Sequence, residues 1–95
     1  MNVDELMTIV RAEGLDQPVL EGLGVMRDDA VVMEAGEGAW TVYLADERGG
    51  RVLATVREFE SRSDALDHVV EKLRQTARAR EALIRLRDRR ATADG

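Results

Sequence analysis

The side chains best able to carry acid–base or metal chemistry in this chain are its single histidine, His68, and its nineteen carboxylates, since cysteine is absent. His68 stands among acids at helical spacing, with Asp64 four residues before it and Asp67 and Glu71 nearby. A carboxylate at that spacing favours the imidazolium, and the group could be imagined as an acid–base pair or one side of a metal site. One histidine without a thiolate is a poor ligand set, however, and mixed charge is the ordinary dress of a solvated helix face. Glu34, Glu37, Asp46 and Glu47 form the other carboxylate group. Paired acids perform glycoside chemistry when a cleft holds them at fixed separation, whereas these fall at strand ends and turn tips. Gly49-Gly50 is not followed by a helix start or by Lys-Ser/Thr, so it is no phosphate-binding loop. The expectation is a chain with no catalytic, cofactor-binding or metal-binding residues, and hence not an enzyme.

Charge is distributed unevenly. Residues 1–73 hold 16 acids and 7 bases, a net charge of −9, whereas residues 74–95 hold 3 acids and 7 bases, a net charge of +4, together giving the overall −5. An acidic body repels nucleic-acid phosphates and suits a basic partner. Ninety-five residues make one domain, expected over 1–90 with a frayed tail at 91–95. No apolar run has membrane-spanning length, and residues 1–12 carry acids rather than a basic leader, so a cytoplasmic protein without membrane association is expected. Thirteen of the fourteen basic residues are arginine, a usage associated with high-GC bacteria.

The elements that position these groups follow from period and punctuation. Asn2 can cap a helix bearing Leu6, Ile9 and Val10 on one face, and Gly14 ends it. Leu15–Asp29, with Pro18, Gly22 and Gly24, reads as a connector containing one helical turn after Pro18. Strands are expected at Ala30–Ala35, Ala39–Ala45 and Arg51–Phe59, the last with its inward face undecided. Ser61 caps a long helix whose stripe Leu66, Val69, Val70, Leu73 and Ala77 must cover the sheet. The fold class is α+β, in the order α-β-β-β-α: a three-stranded antiparallel meander with helices on one face. Double-stranded RNA-binding domains share this order, but they need a basic start to the last helix. Here that start contains Asp64 and Asp67, so nucleic-acid binding is not expected. Past Ala77, Leu83, Ile84 and Leu86 recur in an Arg-rich setting beyond the reach of so small a sheet; folding back, docking on a partner and self-association all remain open, with a homodimer or partner contact favoured.

Trp40-Thr41-Val42-Tyr43-Leu44 followed by Asp46-Glu47-Arg48-Gly49 matches a W-x-V-Y-[YL]-x-x-E-R-G strand-and-turn pattern. Ten residues later, Phe59 to Ala65 fits F-x-[ST]-x-x-[DE]-A at a helix start. Together these resemble the small bacterial immunity proteins of polymorphic-toxin systems, over roughly Ala30 to Leu73. The resemblance implies a non-enzymatic protein that binds a cognate toxin, often a nuclease, and occludes its active site. The partner surface expected on that basis comprises Glu34, Glu37, Tyr43, Asp46, Glu47 and Arg48, with Trp40 in the core and Tyr43 exposed as an aromatic anchor. The alternative is a homodimeric regulatory module whose Arg-rich last helix self-associates or contacts nucleic acid.

Overall fold

Asn2 begins the first helix as its sequence demands: its side-chain oxygen accepts the Glu5 N–H at 2.8 Å, and Gly14 closes the helix in the left-handed conformation. In the computed structural model, which describes the backbone of residues 1–94 and the side chains of 1–90, α1 spans Val3–Glu13 and a long α2 spans Arg62–Asp94. Four strands lie between them: β1 (Val19–Leu20), β2 (Val31–Ala35), β3 (Trp40–Leu44) and β4 (Arg57–Phe59), paired in that order. The fold is the expected α+β class, a sheet with both helices on one face. Of the tail expected to fray, 91–94 continue the helix, while their side chains and Gly95 lie outside the described residues.

Two elements differ from the sequence reading. The segment after Pro18 forms β1 rather than a helical turn, and it pairs parallel to β2, with Val19 opposite Val32 and Leu20 opposite Met33. Its two apolar side chains point to opposite faces, and each finds a buried site there, which a helical turn would not provide. The sheet is therefore four-stranded and mixed. The expected strand Arg51–Phe59 is also interrupted. Arg51 makes one bridge to Ala45, then Leu53–Thr55 forms a 3-10 turn before β4 begins. Thr55 is the cause: its hydroxyl accepts the Leu44 N–H at 2.9 Å and donates to the Val52 carbonyl at 2.6 Å, taking the place of a ladder bond.

Pleating sorts the strand residues. Val31, Met33 and Val42 face the helices and are buried with Leu6 and Val10 of α1 and with Ala65, Leu66, Val69, Val70 and Leu73 of α2. Phe59 and Trp40, directly paired across β3 and β4, pack at the margin of this core, which settles the inward face of β4. The opposite sheet face buries a smaller group of Val19, Ala30, Val32, Tyr43 and Ala45, with Val56 packed over it.

α2 has a second property. Its 33 residues span about 50 Å at 1.5 Å per residue, close to the molecule's longest dimension of 56 Å. The Cα radius of gyration is 15.2 Å, against roughly 12–13 Å for a compact domain of this length. The excess is the helix's C-terminal part: every residue from Arg78 through Arg90 is exposed. Arg74–Glu13 and Arg80–Asp16 ion pairs tie the helix to the body where this exposed part begins.

Gly24 tests the loop that returns from β1. Its φ is +133°, and a Cβ there would lie 2.8 Å from the Pro18 carbonyl oxygen, a backbone atom that cannot step aside. Gly14, at φ +62°, has open space at the same position. Urea unfolding should show Gly24→Ala losing about 2–4 kcal/mol and Gly14→Ala only about 1–2; equal losses would contradict the close approach.

Candidate functional site

Three of the expected partner-surface residues turn out to be engaged within the fold. Glu34 leaves β2 on the face away from the helices, accepts the Tyr43 hydroxyl at 2.7 Å and pairs with Arg51 at 2.5 Å. The Arg51 guanidinium also lies over the Tyr43 ring, 4.8 Å from its centroid, a cation–π contact worth about 0.5–1 kcal/mol at such a site. Tyr43 is only 3% exposed. Burial, then the hydrogen bond and charge of Glu34, push its hydroxyl pKa up. The expectation of Tyr43 as an exposed anchor is therefore corrected: the sheet's second face has its own apolar cover, and Arg51 closes it. Asp46 is likewise committed, because its Oδ1 accepts the N–H groups of Arg48 at 2.9 Å and Gly50 at 2.8 Å and so holds the turn.

The remaining nominees separate in space. Glu37 is exposed in the β2–β3 turn, whereas Glu47 and Arg48 stand at the other end of β3, so the six residues do not form one patch. The structure instead gathers Asp46, Glu47 and Arg48 with Asp28 and Val52 around an open concavity of about 480 Å³. Met26 approaches the same turn from the β1–β2 loop: a Cβ on Gly49 would be 3.7 Å from its side chain. Met26, Val52 and Leu53 are 41%, 38% and 80% exposed. This end of the sheet thus presents apolar side chains beside Asp28, Asp29, Asp46 and Glu47. No family model, curated protein or solved structure matches the chain.

A larger concavity of about 620 Å³ lies between α1 and the β1 edge, lined by Val3, Met7, Pro18, Leu20, Leu23 and Val25, with Glu21, Arg27 and Arg62 among its polar groups. Sequence reasoning missed it, because its walls come from α1, the connector and the start of α2. Arg62 donates to Glu21 at 2.8 Å, and that hydrogen bond, opposed by partial desolvation, keeps the carboxyl below its usual range. A carboxylate held ionised by its arginine is a poor proton donor or base. Among the described residues no group of three or more His, Asp or Glu side chains is placed to hold a metal ion, and no helix is long and apolar enough to cross a membrane.

Leu83, Ile84 and Leu86 are 55%, 57% and 47% exposed, so they do not fold back on the body. Ile84 continues the line of Leu66, Leu73 and Ala77, while Leu83 and Leu86 turn away from it at about 100° per residue. The extension therefore carries no single apolar stripe.

His68 is set into the seam between α2 and β4. Its ring lies 5.1 Å from that of Phe59, its Nε2 is buried with no hydrogen-bond partner among the described residues, and Nδ1 is 3.6 Å from Glu71. Burial, reinforced by the charges of Lys72 and Arg57 and opposed by Glu71, lowers its pKa from the ordinary 6.5. The unfolded chain consequently binds the proton more readily than the folded one, and stability falls as pH drops below about 6.5. Urea unfolding at pH 7.5 and 5.5 should show this loss, and His68→Leu should flatten it; an unchanged pH slope in that variant would contradict the assignment.

Proposed function

We propose that this protein is a non-enzymatic binding module that works by stoichiometric occlusion, of the kind its Trp40–Ala65 block resembles: an immunity protein acting in the cytoplasm against a basic toxin domain. The observation that supports this reading best is the end of the sheet around the Asp46–Gly50 turn. Exposed Met26, Val52 and Leu53 stand there beside Asp28, Asp46 and Glu47. Interfaces commonly combine an apolar centre with a polar rim, and acids at the rim accelerate capture of a basic partner. The contact set is accordingly revised to Glu47, Arg48, Asp28, Val52 and Leu53. Glu34 and Tyr43 leave the set, because they are engaged with each other and with Arg51 on the sheet face.

Co-expression with the product of the adjacent upstream gene should rescue growth and yield a complex that copurifies. Leu53→Arg should abolish that complex, and Glu47→Lys should slow association about tenfold at low salt with little change at high salt. Both positions are exposed, so the circular dichroism of the variants should match the parent. A neighbour that is neither toxic nor retained on the tagged protein would end this reading.

A further inference from the structure

The outer face of α2 holds an ordered charge pattern only loosely engaged within the chain: Glu71 lies 3.6 Å from His68 Nδ1 and 3.4 Å from Gln75 Nε2, and Arg85 lies 3.7 Å from Glu81. Leu66, Val69, Val70 and Leu73 mark the buried side of the helix. On the opposite side, Asp64, Glu71, Arg78 and Arg85 recur every seven residues, so they align along one edge. Arg89 extends the line by four residues at the arginine end, and Glu60, in the bend that precedes the helix, adds an acid at the other. All six are exposed. The first three are acids and the last three are arginines, with the change of sign between Glu71 and Arg78. Ala82, also on this side, offers no bulk to keep another helix away.

Such a line is complementary to itself only when reversed. We propose that two copies of this chain associate through this face of α2, antiparallel about a two-fold axis passing between Glu71 and Arg78. Glu60, Asp64 and Glu71 of each copy then meet Arg89, Arg85 and Arg78 of the other, giving three oppositely charged pairs, each occurring twice. Parallel pairing would set acid against acid and arginine against arginine. Contact through the extensions alone would oppose two segments of net charge +4 each. The antiparallel arrangement also gives the extension a surface to lie on. In the single chain every residue from Glu81 through Arg90 is exposed, and a helical segment of this length without tertiary packing is marginal in water. Its internal pairs are loose enough to exchange, since Arg85 and Glu81 are 3.7 Å apart and 75% and 65% exposed. This inference is independent of the toxin-binding reading, which concerns the far end of the sheet.

Individual exposed ion pairs are weak, so the dimer should be micromolar and salt-sensitive. Sedimentation of the full chain at about 50 mM salt should show a monomer–dimer equilibrium whose Kd rises at least about tenfold by roughly 500 mM. Asp64→Arg/Glu71→Arg and Arg78→Glu/Arg85→Glu should each be monomeric, and an equimolar mixture of the two should restore the dimer, because all six pairs are again opposite in sign. Arg78→Gln/Arg85→Gln, which introduces no repulsion, should weaken association at least about tenfold with helix content unchanged. A wild-type chain that stays monomeric at about 100 μM, reversal variants that dimerise as the wild type does, or a mixture that fails to recover would each overturn the proposal.

Discussion

One stripe of α2, comprising Ala65, Leu66, Val69, Val70 and Leu73, lies across the β2–β3 hairpin against Val31, Met33 and Val42, and α1 wedges Leu6 and Val10 into the same layer. Most other features depend on this contact. It decides which sheet face is turned inward and directs Glu34, Tyr43 and Arg51 to the other side. It also sets the point at which α2 leaves the body. In a domain this small, total stability is about 5–10 kcal/mol, while truncating one buried leucine to alanine costs roughly 2–5. The core is therefore sufficient without being redundant.

Ion pairs have a different role. Arg62–Glu21, Arg74–Glu13 and Arg80–Asp16 connect α2 to the β1 loop, to the end of α1 and to the segment after it. Their side chains are a third to a half exposed, where such pairs contribute about 0–1 kcal/mol each. They orient the helix against its neighbours more than they hold it there. All three use arginines of α2, so part of the helix's positive charge is committed to the body as far as residue 80, while the arginines after it face outward.

The polar chemistry divides accordingly into an internal and an external set. Tyr43, Glu34, Arg51, Asp46 and Thr55 complete the sheet: each satisfies a group that pleating or turn formation would otherwise leave unpaired. Asp28, Glu47 and Arg48 at one end of the molecule, and the charged line on α2 at the other, are left outside. Both proposed surfaces, the sheet end and the α2 face, fall in the external set.

Much of the fold was legible in the residues alone, because the signals act over short range. The Asn2 cap, the Gly14 stop, the Asp46–Gly50 turn and the α2 stripe each depend on neighbours within about one helical turn or one hairpin. The seven-residue charge repeat is likewise present in the sequence, although only the buried side of the helix shows that it faces outward. What required tertiary structure was any property dependent on residues distant in the chain. Val19–Leu20 became a strand because β2, a dozen residues later, offered it an edge, and Arg51–Phe59 broke because the Thr55 hydroxyl could replace a ladder bond to Leu44. Tyr43 was expected outside and lies inside, since alternation specifies which face a residue occupies but not whether something covers that face. Sequence determined periodicity, caps and charge order; tertiary structure decided exposure, because burial depends on what other parts of the chain bring to a surface.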